Sequence, residues 1–288
     1  MHSSEGHGAS EHLEEIAEGA FKCHQTGLIV RRPPVAPVWK VSGEFGPLNP
    51  PLREGEPTLK WSRFDSSFAA TIYAAEDKWG AYHEALSYAE RSNEDLAHTL
   101  ASITGGMFHA SEDRWSEQTV GPSTKPKIPQ SWFERKWIVE LDIESGWYVD
   151  ICHPDTIGAL RRRISEFLGI EARDVDCALL MQPNRRLTCF VADSLLHETL
   201  GNVETPSGVY YTSRHGRIAC WAIWAPLFGV SNRTADVIKD LFRGKLRRDP
   251  VINEIDPGDP ELLHAARNLG FDVADVTYAR ARKSLNPD

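Results

Sequence analysis

The chain has 288 residues, 41% of them hydrophobic and 25% charged, so it can bury a core without staples and is too apolar to be mainly disordered. Its 32 Lys and Arg against 41 Asp and Glu give a formal net charge of −9, a balance that repels polyanions and argues against general nucleic-acid binding. Five scattered cysteines (Cys23, Cys152, Cys177, Cys189 and Cys220) form no C-x-x-C pair, which argues against a disulfide framework or zinc ribbon and for a reduced, cytoplasmic setting.

The acidic, polar start lacks the basic and apolar regions of a secretory signal. No apolar run approaches the roughly 18 residues of a membrane span. Within residues 1–24 the spacing of Leu13, Ile16, Ala17 and Ala20 predicts one short helix. Arg31 to Pro57 carries seven prolines and reads as an ordered loop wrapped on a core. Phe68 to Ala75 predicts a strand, followed by a helix from about Asp77 to Ala89 with Ala81, Tyr82, Ala85, Leu86 and Ala89 as its apolar stripe. Ser111 to Pro129 reads as a surface loop.

Trp137 to Ile143 and Trp147 to Ile151 predict two strands around a Ser145-Gly146 turn. Asp155 or Thr156 can cap a helix that presents Ile157, Leu160, Ile164 and Phe167 on one face and ends near Gly169. A further helix is expected over about Leu187 to Leu200. Gly208 to Trp224 predicts a β-hairpin with His215-Gly216 near its bend. Beyond about Ser231 the chain is charged and helical in pattern. The expected organisation is an N-terminal extension (1–30), a main α+β domain (31–228) and a helical C-terminal extension (229–288).

Three polar groups fall in the strand–helix unit and its approach: Arg63 in WSRFD, Tyr73 in TIYAAE and Glu84 in GAYHEAL. A fourth, Ser213, lies in the hairpin segment GVYYTSRHG, ahead of CWAIW. The order and spacing of these motifs resemble the RES domain, a toxin family named for its Arg, Glu and Ser. IPQSWFERKW, GWYVDICHP and RRLTCFVAD also look like the longer RES proteins. The resemblance runs from about Trp39 to Trp224. One departure is Trp39-Lys40, where many RES proteins have an aromatic-Arg pair; lysine keeps the charge without the planar fork.

The resemblance implies an ADP-ribosyltransferase-like mixed sheet flanked by helices, with NAD as substrate. Cleaving the nicotinamide–ribose bond develops an oxocarbenium-like ribose, which a carboxylate stabilises. By resemblance, Glu84 takes that role and Arg63 binds the pyrophosphate. Tyr73 offers a flat face and a hydroxyl, Ser213 bonds nicotinamide or ribose, and Lys40 and Arg214 lie on the phosphate side. The implied partner is an Xre-type helix-turn-helix antitoxin, and RES toxins are often dimeric. Two other readings share the scaffold: a protein mono-ADP-ribosyltransferase, and a non-catalytic interaction protein.

No metal is expected, because Cys152-His153 and His197-Glu198 lack the spacing of a helical zinc site. Cys220 is expected to be buried and inert. Gly105-Gly106 lacks phosphate-loop spacing, and Arg161-Arg162-Arg163 reads as a solvated helix side.

Overall fold

AATIYAA and ACWAIWAP carry no charged residue, the composition of strands covered on both faces. In the computed structural model, which describes residues 12–43, 45–58, 60–87, 128, 130–201, 204–213 and 216–271, they lie side by side inside a ten-stranded sheet. The strands are β1 (Leu13–Ala17), β2 (Ala20–Cys23), β3 (Ile29–Arg31), β4 (Val38–Ser42), β5 (Ala69–Ala75), β6 (Trp137–Leu141), β7 (Tyr148–Asp150), β8 (Gly208–Thr212), β9 (Ala219–Pro226) and β10 (Val251–Glu254). The helices are α1 (residues 78–87), α2 (Gln130–Glu134), α3 (Pro154–Leu168), α4 (Cys177–Met181), α5 (Arg185–Leu196), α6 (Ala235–Arg243) and α7 (Pro260–Asn268). Their order across the sheet is β1-β2-β3-β7-β8-β9-β5-β4-β6-β10, antiparallel throughout except between β7 and β8. The class is mixed α+β.

Period-two alternation sends each strand's side chains to two cores. Tyr73, Ala75, Tyr211, Cys220, Ala222 and Trp224 face the first, under α1, α3, α5 and α7. Ala70, Ile72, Ala74, Trp221 and Ile223 face the second, with Ile238 and Phe242 of α6.

Several elements differ from expectation. Residues 13–23 form the hairpin β1–β2 instead of a helix, turning at Glu18-Gly19, where Gly19 has φ 68°. The helical spacing loses because β3 offers β2 a pairing edge, and Ile16 is left 42% exposed on the outer strand. The proline-rich stretch from Arg31 to Pro57 is not all loop: β4 lies within it and pairs with both β5 and β6. The strands on either side of Ser145-Gly146 form but do not pair; β6 lies between β4 and β10, and β7 between β3 and β8.

His153, rather than Asp155 or Thr156, caps α3, its Nδ1 accepting from the Asp155 N–H at 3.2 Å. The helix ends at Gly169 as expected, with φ 67°. The hairpin β8–β9 forms as expected, from Gly208↔Ile223 to Thr212↔Ala219. The C-terminal segment is not purely helical: β10 extends the sheet beyond β6. Cys152 and Cys177, read from sequence as unpaired, are bonded, with their Cα atoms 5.0 Å apart. The expected loop over 111–129 lies outside the described residues except for buried Ile128. Among the described residues no helix is long and apolar enough to cross a membrane.

Candidate functional site

Local chemistry sets helix α1 against the sheet. The Asp77 carboxylate accepts the Gly80 N–H at 2.6 Å, capping the first turn. Gly80 lets the helix approach closely, since a β-carbon there would meet Ile218 Cγ2 at 2.5 Å. Ala81, Tyr82 and Leu86 are buried, so the predicted stripe is the packed face; Ala89 lies outside the described residues. Glu84 sits half-buried beside that stripe, and its Oε1 accepts the hydroxyl of Ser213. These two residues are 129 positions apart in the chain.

The turn before β5 is held by the carboxylate of Asp65, which stands in the WSRFD motif. Asp65, 3% exposed, accepts from Arg53 Nε at 2.5 Å, the Ser62 N–H at 2.8 Å and the Tyr73 hydroxyl at 2.8 Å. The Tyr73 oxygen in turn accepts the Phe64 N–H at 3.1 Å. Burial, then the charge of Asp65, raises the Tyr73 phenol well above its ordinary range. The single O–H of Tyr73 is therefore engaged within the protein, which leaves its ring rather than its donor to meet a ligand. Trp224 of β9 fastens the same turn by donating Nε1–H to the Phe64 carbonyl at 3.0 Å.

Arg63 lies inside this frame at 8% exposure. Its guanidinium is 4.9 Å from the Tyr211 ring centroid and 5.9 Å from that of Phe64, and Nη1 points to Met181 Sδ at 3.5 Å. No carboxylate among the described residues lies within ion-pair distance of it; Asp65 pairs with Arg53 instead.

Tyr211 is the hub. It faces the first core two residues before Ser213, with Cys220 as its cross-strand partner. Burial raises the Tyr211 phenol and the Cys220 thiol well above their ordinary values; Glu84 adds to both shifts and Arg63 opposes both. Arg63 thus lies over the Tyr211 ring, and Glu84 meets Ser213, which follows Tyr211 by two residues. The signal for Tyr211 was in YYTS, where it stands two residues before Ser213 on a strand. Nothing in the sequence marks Met181, which only the position of α4 brings to the site.

Lys40 is not brought to this group. On β4, Trp39 and Val41 face the first core and Val38 the second, so Lys40 points to the opposite side, with Nζ donating to the Pro47 carbonyl at 3.1 Å. Burial lowers its amine from 10.5 to about 8. Between these values the unfolded chain binds more protons than the folded one, so stability rises with pH. Lys40→Met is expected to raise stability below pH 8 by on the order of 1 kcal/mol. It should also flatten the rise between about pH 8 and 9.5, below the main range of unfolded-state tyrosine ionisation, in urea titrations. Lys245, lowered by burial as well, leaves a residual slope.

Arg214 and Gly105-Gly106 lie outside the described residues. Cys220 is 1% exposed, as its strand pattern predicts. The arginine run on α3 meets local partners: Arg161 the Val175 carbonyl, Arg162 Glu166, and Arg163 Glu198. Among the described residues no group of three or more His, Cys, Asp or Glu could hold a metal ion. No protein-family profile, curated protein or solved structure matches the chain.

Proposed function

We propose that this protein cleaves the nicotinamide–ribose bond of NAD, on an ADP-ribosyltransferase-like scaffold of the RES type. The observation that carries the reading is Arg63: a residue 8% exposed, its guanidinium 4.9 Å from the Tyr211 ring centroid, with no carboxylate in ion-pair reach among the described residues. An uncompensated buried charge costs several kcal/mol unless an anion completes it, and the pyrophosphate of a dinucleotide suits its planar fork. The Glu84–Ser213 pair supports the same reading, since Ser213 follows by two residues the tyrosine over which Arg63 lies; in this reading one extended ligand meets anion site and carboxylate together.

In this reading the C–N glycosidic bond breaks and its electron pair leaves with nicotinamide, which departs neutral. Glu84 stabilises the ribosyl cation, and Ser213 holds the carboxylate or exchanges that bond for one to the substrate. Tyr73 supplies a ring surface. Water capture with loss of a proton gives ADP-ribose, whereas phosphate capture gives its 1″-phosphate.

An NMR time course of NAD with the protein, in phosphate and in phosphate-free buffer, identifies the acceptor. Free nicotinamide should accumulate in at least one buffer. Titration calorimetry should give an NAD binding heat that is lost in Arg63→Gln. Intact NAD together with heat independent of Arg63 would overturn the reading, and label transferred from NAD to protein would redirect it to ADP-ribosylation.

A further inference from the structure

The helix that carries Glu84 is gripped from outside the strand–turn–helix unit. Tyr82, fully buried on α1, donates its hydroxyl to Asp259 Oδ2 at 3.0 Å. Lys78, at the start of α1, meets the same oxygen at 2.5 Å. The other oxygen, Oδ1, accepts the Glu261 N–H at 3.0 Å, so one carboxylate both caps α7 and takes two side chains of α1. Burial alone would raise the Asp259 carboxyl, but Lys78, the Glu261 N–H and Tyr82 overcome it and hold the group below its ordinary range. Leu262, Ala265 and Ala266 of α7 are fully buried in the first core. Trp79 of α1 lies against His264 of α7 in a tilted arrangement, with ring centroids 5.6 Å apart.

We propose that Asp259 is a positioning residue: through Tyr82 and Lys78 it clamps α1 from the C-terminal segment and so sets Glu84 against Ser213. The proposal rests on Glu84 serving the reaction described above. It gives the segment beyond residue 229 a part in the site without any contact to substrate. Two hydrogen-bonded side chains one turn apart resist both rotation and sliding of the helix, which apolar packing alone resists weakly.

The test compares Asp259→Ala with Asp259→Asn and with Leu262→Ala, all in the full chain. Leu262→Ala removes buried apolar contact from the same helix and leaves the clamp in place. At a temperature where circular dichroism shows every variant folded, amide exchange over residues 81–87 should quicken at least about tenfold in Asp259→Ala relative to Leu262→Ala. Its kcat for NAD should fall about tenfold with KM within about twofold, because the lost contact serves the transition state. Asp259→Asn, which keeps one acceptor oxygen able to take the Tyr82 hydroxyl while an amide NH2 replaces the other, should recover part of kcat.

Equal exchange and equal kcat in Asp259→Ala and Leu262→Ala would overturn the proposal. If the wild-type chain leaves NAD intact, the enzymatic reading fails, and exchange at residues 81–87 decides the clamp by itself.

Discussion

On the proposed reading, Glu84→Gln is expected to lower the turnover of NAD by about a hundredfold or more, with NAD affinity within about threefold of wild type. The substitution keeps the shape of the side chain and an acceptor for the Ser213 hydroxyl, and removes only the negative charge. That charge has little to stabilise in the ground state, where the positive pyridinium is spread over a ring, and much in the transition state, where positive charge collects on the ribose. Loss should therefore fall on kcat rather than on binding. Initial rates of nicotinamide release, read beside calorimetric affinity, make the comparison. A loss of less than about tenfold in kcat would remove Glu84 from the role of charge stabiliser.

Trp224→Ala is the most damaging single truncation expected in the core, at about 4 kcal/mol. Its side chain is fully buried among the residues of the first core, so the cavity cannot be filled from solvent. The Phe64 carbonyl also loses its indole donor. Trp224→Phe separates the two parts: most of the volume stays, and the hydrogen bond accounts for about 1–2 kcal/mol of the remaining loss. Guanidinium or urea midpoints measure both variants. The same turn carries Arg63, so Trp224→Phe should weaken NAD binding more than its modest change in stability suggests. An affinity unchanged in that variant would show that Asp65 and Tyr73 hold the turn well enough without the indole.

The strand–helix unit was legible because its signals are local. FAATIYAA followed by a capping aspartate and a 3.6-residue stripe leaves little choice, and three of the four polar residues stand at fixed places on that unit or its approach. The hairpin that carries Ser213 was legible for the same reason. What could not be read was which strand lies beside which. Ser145-Gly146 is a good turn dipeptide, yet the strands on either side of it join different halves of the sheet, because β7 pairs with β3 and β8 and β6 with β4 and β10.

The first residues misled in another way. Leu13, Ile16, Ala17 and Ala20 fit a helix, and only the free edge of β3 turns them into a hairpin. Asp65 was visible as part of RFD, but its three donors come from three places in the chain, so its work as the knot of the site needed coordinates. Lys40 shows the same limit in reverse: its position beside Trp39 was plain, and the alternation that turns it away depends on which face of β4 each core covers.

The pairing of β5 with β9 bears on the order of synthesis. Tyr73 lies opposite Ala222, and Glu84 meets a serine encoded far downstream. A ribosome making this chain releases arginine, tyrosine and glutamate long before the strand that completes their surroundings, and before the carboxylate at residue 259 that steadies the helix. Long-range pairing of this sort is slow to form and waits for its distant partner. A chain interrupted before residue 208 would thus hold three of the four polar groups and lack the β8–β9 hairpin that carries Ser213 to Glu84, so translation length itself delays completion of the group.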